Sequence, residues 1–213
     1  MRTKILAGVV AIGCAAWLPA AMAQTDPGAW VSAPEGTVTV FQRKSSGSYG
    51  TFEGEVKWTL GLRDWNGRTL LAAASERHGI TLHDPLTHGV KVLLNSAGHP
   101  LTSFNPEIRH EWPLVVGKRW TSVHEMTDYR AAMVRSLTMS FEVEAYEDVT
   151  VPAGTFKAFR VMQASSFGEV ERNWVVPSRG LSTVKRISDR PSLHPLGAGH
   201  LEAVLLVRSE PPR

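Results

Sequence analysis

The chain lacks most of what would point to familiar chemistry. It has one cysteine, Cys14, among 213 residues. That residue lies inside an apolar N-terminal run, so the processed chain would have no disulfide, thiolate nucleophile or zinc–thiolate site. No other stretch approaches the roughly 20 apolar residues of a membrane-spanning helix. Without a Lys/Arg block, the chain has little to attract nucleic acid or an anionic membrane. There is no Gly-x-Ser-x-Gly elbow, no Ser-x-x-Lys motif at a helix start and no phosphate-cradling glycine loop. The residues therefore give no recognisable catalytic set and imply no cofactor.

What is present begins with a secretion signal. Arg2 and Lys4 precede an uncharged apolar stretch at 5–18, Pro19 breaks it, and Ala21-Met22-Ala23 forms a small-x-small cleavage site. Residues 1–23 read as a signal peptide and the mature chain as exported, periplasmic or secreted. Losing Arg2 and Lys4 lowers the formal net charge from +3 to +1. Ala11-Ile12-Gly13-Cys14 faintly resembles a lipoprotein cleavage box, but Ala stands where a bulky residue is usual. The apolar Ala15-Ala16-Trp17-Leu18 after it would make an odd mature N-terminus, so cleavage after Ala23 is the expectation.

Residues 24–36, with Pro27, Gly28, Pro34 and Gly36, read as a flexible leader. One β-domain is expected over 37–208, with a short tail at 209–213. Its dominant signal is period two. Val56, Trp58, Leu60 and Leu62 alternate with Lys57, Thr59, Gly61 and Arg63; Leu137, Met139, Phe141 and Val143 alternate with Thr138, Ser140, Glu142 and Glu144. The run at 201–208 is apolar on both faces, as in a central strand. Asn66-Gly67 can take positive φ at both central hairpin positions. Ala97-Gly98, Pro152-Ala153-Gly154, Ser166-Phe167-Gly168 and residues 177–180 separate further runs. The Ala-rich segment at 69–78 has helical propensity, but the Asn-Gly turn demands a strand partner. The pattern predicts an all-β fold: an antiparallel meander of roughly nine to eleven strands forming a barrel, a curved half-barrel or a sandwich.

Three constellations hold the chemical interest. His78, His83 and His88, with Asp84, could ligate a divalent metal. Their five-residue spacing is not helical and alternates strand faces, and the plainer reading is exposed histidines flanking a turn. His124-Glu125 with Asp128, and His110-Glu111, put adjacent residues on opposite strand faces. His124 is therefore expected at a solvated or edge position. His99, His194 and His200 read as loop residues, and Glu142 and Glu144 as a wet strand face. The mature chain keeps six tryptophans, Trp30, Trp58, Trp65, Trp112, Trp120 and Trp174. Aromatics can line an apolar ligand cavity, so Trp58, Trp112, Trp120 and Trp174 are the candidate ligand-binding residues. Trp112 and Trp120 bracket a Pro/Gly-bounded turn suited to closing one end of a barrel.

Residues 113–120 (Pro-Leu-x-x-Gly-Lys-x-Trp), 151–159 (Val-Pro-Ala-Gly-Thr-Phe-x-Ala-Phe) and 174–185 (Pro-x-x-Gly-Leu-x-x-Val-Lys after an aromatic strand) occur in that order. In this the second half resembles an uncharacterised family of exported bacterial β-domains. The resemblance implies a shared β-fold and supplies no catalytic residues. The sequence leads first to a noncatalytic envelope protein binding an apolar or amphipathic ligand such as a lipid. Its alternatives are an assembly partner that uses an exposed edge strand to bind another envelope protein, and a metal-dependent hydrolase built on the three histidines.

Overall fold

The computed structural model describes residues 33–177 and 183–210. The signal read at 1–23, Cys14, Trp30, most of the leader and part of the third sequence block lie outside them. Twelve strands follow one another as an up-and-down meander: β1 (Val38–Gly47), β2 (Phe52–Trp65), β3 (Arg68–Ser75), β4 (Gly79–His83), β5 (Val90–Leu94) and β6 (Pro100–Ile108). They continue as β7 (Arg119–Asp128), β8 (Met133–Val151), β9 (Gly154–Ser165), β10 (Val170–Val175), β11 (Thr183–Arg190) and β12 (Gly199–Ser209). Every neighbouring pair is antiparallel, and β1 pairs with β12 to close the barrel. Closure gives each of the described strands two hydrogen-bonded neighbours, so none of them is left as an edge.

The Asn66-Gly67 turn has φ of 49° and 75°. Both central positions are positive, as a tight hairpin with the right-handed strand twist requires. The Ala-rich segment is β3, and its pairing with β2 overrides its helical propensity. At the N-terminal side, the Gly36 N–H donates to the Leu60 carbonyl at 2.8 Å, so the end of the leader lies against β2.

The count exceeds the expected nine to eleven because β4 and β7 carry weak period-two signals. β4 has only five residues. β7 turns Trp120, Ser122, His124, Met126 and Asp128 inward, since they pair with Phe141, Met139, Leu137, Arg135 and Met133 on β8. An inward face so rich in polar groups does not read as a core face.

Apolar side chains gather in three places. The principal cluster lies inside the barrel and includes Phe104, Leu114, Leu137, Met139, Phe141, Phe159 and Val161. A second forms where Val149, Val151 and Phe156 at the β8–β9 tip meet Trp174, Val184 and Leu205. There the Ala153 N–H reaches the Leu205 carbonyl at 3.1 Å. The third, Leu70, Ala72, Leu82, Val92 and Leu94, has the opposite phase from Ala73, Thr81 and Leu93 and so lies on the face of β3–β5 turned away from the lumen.

Because the fold is a strict meander, loops alternate between two ends. The connections carrying residues 113–120 and 151–159 lie at the end where β1 starts, as do the last residues of β10 and the first of β11. The first block is a plug: Leu114 is fully buried, and the Lys118 ammonium donates to the Glu111 and Pro113 carbonyls at 2.6 and 3.2 Å.

Candidate functional site

The inward faces enclose a cavity of about 780 Å³. Eight-stranded barrels are filled by side chains or hold one small ligand, and barrels of sixteen or more strands become water channels. Twelve strands lie between those regimes, and the volume is in the range of small-molecule sites, roughly 300–1,000 Å³.

One side of the lumen is apolar. Leu93 on β5, Phe104 on β6, Met126 on β7 and Leu137, Met139 and Phe141 on β8 line it, with Trp58 and Leu60 arriving from β2. The other side is polar and comes from β9, β10 and β11. Register places Gln163, Glu171 and Ser188 on one rung, and Val161, Asn173 and Arg186 on the next. Glu171 accepts hydrogen bonds from Asn173 Nδ2 at 2.6 Å, Gln163 Nε2 at 2.8 Å and Ser188 Oγ at 2.5 Å, and ion-pairs with Arg186. These donors satisfy the buried carboxylate's oxygens. Burial works against the charge on Arg186, but Glu171, Tyr49 and Glu169 outweigh it and hold the guanidinium above its ordinary value.

The network extends toward the end formed by the β1–β2, β9–β10 and β11–β12 turns. Arg190 Nε donates to Glu169 Oε2 at 2.8 Å, and its guanidinium lies 3.9 Å from the Tyr49 ring centroid. His194, a buried residue of the β11–β12 loop, is 3.8 Å from the same Glu169 oxygen. Arg43 Nη1 lies 3.2 Å from His78 Nδ1, and Nη2 donates to the Tyr49 carbonyl at 3.4 Å. Burial and the neighbouring Arg186 together lower the pKa of Arg43.

The tryptophans divide. Trp58 and Trp112 line the cavity. Trp120 is on the inward face beside the cavity-lining Phe141, stacked on it with ring centroids 4.7 Å apart. Trp174 has the opposite phase: it packs into the second cluster, and its indole N–H donates to Glu147 Oε1 at 2.8 Å.

The three candidate metal histidines do not converge. His78 sits in the β3–β4 turn beside Arg43, while His83 and His88 belong to the opposite end of β4. His83 donates through Nδ1 to the His88 carbonyl at 3.1 Å. Asp84 is occupied as a turn former, accepting the Leu86 and Thr87 N–H groups at 2.9 and 3.1 Å. Among the described residues no group of three or more His, Cys, Asp or Glu side chains is placed to hold a metal ion.

The expectation of exposed histidines is corrected at several positions. His83 is buried, and burial pushes its pKa down to about 4 against the opposing hydrogen bond it donates to the His88 carbonyl. His124 is 2% exposed, donating to the Pro106 carbonyl and bonding Ser122 Oγ, each at 2.7 Å. It lies inward because β7 is an interior-facing barrel strand. His110 lines the cavity among Trp112, Trp120 and Phe141, at centroid distances of 5.9, 6.3 and 6.2 Å. Enclosure lowers its pKa to about 4, with Glu171 pulling the other way.

Sequence reasoning missed Arg43, Glu171, Arg186 and Arg190. A faint signal existed, since Glu171 and Asn173 are in phase with the core residue Val175. A charge on the apolar phase of a strand is a mark of a buried network or a lumen.

No family model matches the chain, and no curated protein is similar to it in sequence. Two solved structures share its general course. One is a putative exported protein with a YmcC-like fold from Bacteroides fragilis, at 12% identity and a TM-score of 0.44, covering 86% of this chain and 100% of that one. The other is the hypothetical lipoprotein YmcC from Escherichia coli, at 12% identity and a TM-score of 0.43, covering 83% and 85%.

Proposed function

We propose that this chain is an exported, noncatalytic carrier that holds an apolar or amphipathic small molecule in its lumen. The observation that supports it is the cavity itself, a closed-barrel interior of about 780 Å³ with one apolar and one polar side. Solid barrels fill such space with side chains; here Ala73, Thr81 and Thr102 stand among the lining residues. Trp58 and Trp112 contact the ligand directly, and Trp120 braces Phe141 from the neighbouring strand. Export follows from the N-terminal signal. The edge-strand alternative loses its physical basis, because among the described residues every strand of the closed ladder is paired on both sides. The hydrolase alternative has no convergent set of metal ligands among the described residues.

The test is native mass spectrometry of residues 24–213 purified from a secretory host without added metal, followed by solvent extraction. A retained lipid-sized mass, or saturable uptake of a fluorescent hydrocarbon probe by the stripped protein, is the expected result. A bare mass together with no uptake overturns the reading.

A further inference from the structure

The charges around the lumen are unevenly matched. Arg186 pairs with Glu171, Arg190 with Glu169, Arg109 with Glu107 and Arg208 with Glu210. Among the described residues no carboxylate lies within ion-pair distance of Arg43, and its Nε–H has no acceptor. Arg43 instead shares a rung with Arg186 across Ala203, so only a methyl side chain separates the two guanidinium-bearing positions on the inner face. An enclosed cation without a counter-ion is costly, and the position across Ala203 carries another cation.

Arg186 is the member that reaches the lumen. It lines the cavity, and 42% of its side-chain surface is accessible although the barrel encloses it. Glu171 occupies one side of its guanidinium. A guanidinium carries five N–H donors in a planar fork suited to carboxylate and phosphate oxygens. Phe104 stands five strands round the barrel from Arg186, on the facing wall, with Leu137 and Met139 beside it. A charged floor therefore faces an apolar wall across one continuous space.

We propose that Arg186, backed by Arg43, is the head-group site for an anionic amphiphile. Its carboxylate or phosphate-monoester head sits at Arg186, and its chain lies against Phe104, Leu137 and Met139. The inference rests on the carrier reading and names the ligand class for that same cavity. The ligand head supplies the negative charge that the protein withholds from Arg43, in the charge-assisted geometry in which such contacts are strongest.

The experiment is displacement of a neutral fluorescent hydrocarbon probe from the full mature chain. The competitors are a long-chain carboxylic acid, the alkyl phosphate and alcohol of equal length, and inorganic phosphate. The expected result is that acid and alkyl phosphate compete roughly tenfold or more better than the alcohol. That preference should collapse toward parity in Arg43→Gln and return in part in Arg43→Lys. Because Arg186→Gln strands Glu171 and endangers the fold, Arg43→Gln is the deciding variant, with circular dichroism and a thermal melt reporting that it is folded. Equal competition by acid and alcohol overturns the head-group site while leaving the carrier reading standing. Inorganic phosphate competing as well as alkyl phosphate overturns the amphiphile and assigns a free anion. If no long-chain compound displaces the probe and the probe itself does not bind, the carrier reading falls and takes this proposal with it.

Discussion

Glu171 on β10 and Arg186 on β11 form an ion pair inside the barrel, with the carboxylate buried and the guanidinium turned partly to the lumen. Arg186 lies on the rung next to that of Glu171, so the contact is diagonal, which lets Ser188, directly opposite Glu171, donate to the same carboxylate. Removing one partner of such a pair leaves the other unpaired, which costs more than the pair contributes. Glu171→Gln should therefore lower stability by about 2–3 kcal/mol. The double variant Glu171→Gln with Arg186→Met should recover a large part of that loss. Urea titrations of both variants give the comparison; a double variant as unstable as the sum of its singles would refute it.

Stability should fall on mild acidification. Burial, assisted in places by nearby arginines, lowers the pKa of His78, His83, His88, His110 and His194, with His83 and His110 reaching about 4. In the unfolded chain these groups titrate near 6.5, so between about pH 6.5 and 4 the unfolded state binds more protons. The stabilisation is complete above pH 6.5 and is lost as pH falls through that window. Across the whole window His83 alone contributes on the order of 3 kcal/mol. Denaturation midpoints at pH 7.5 and 5 check this, and His83→Gln should flatten the dependence.

Two glycines separate backbone strain from steric contact. Gly67 and Gly79 have similar φ, 75° and 87°. A Cβ at Gly67 would meet nothing, whereas at Gly79 it would collide with the Leu94 carbonyl oxygen. Gly67→Ala should cost about 1 kcal/mol from the left-handed conformation alone. Gly79→Ala should cost clearly more, because β4 must part from β5. A smaller melting-temperature drop for Gly79→Ala than for Gly67→Ala would contradict this.

Filling the lumen should block binding without unfolding the barrel. Ala73 lines the cavity and is only half-buried, so Ala73→Trp has room to extend inward. The expected outcome is loss of long-chain probe uptake with a far-ultraviolet spectrum like that of the parent. Trp174→Phe is the counterpart on the other phase of the wall. It removes the hydrogen bond to Glu147 and should cost about 1–2 kcal/mol while leaving uptake intact.

The tryptophans show how far sequence parity reaches. Trp58 lies in a strand whose alternation is plain, and that phase points into the cavity. Trp174 alternates as cleanly, yet its phase packs against the β8–β9 tip. Period two tells which residues share a face and is silent on which face encloses the lumen. β7 escaped for the converse reason: its inward residues include Ser122, His124 and Asp128, which only an interior with its own polar network tolerates.

The sequence by itself determined the strand-rich meander, its hairpin turns and the absence of familiar catalytic motifs, because backbone geometry, turn chemistry and side-chain alternation act over a few neighbouring residues. Only the tertiary structure decided that twelve strands close with β1 against β12. Closure scatters His78 from His83 and His88, and brings Arg43 beside Arg186, 143 positions later in the chain. Register and barrel closure are collective properties of all the strands, and the charge balance inside the lumen exists only once the wall is complete.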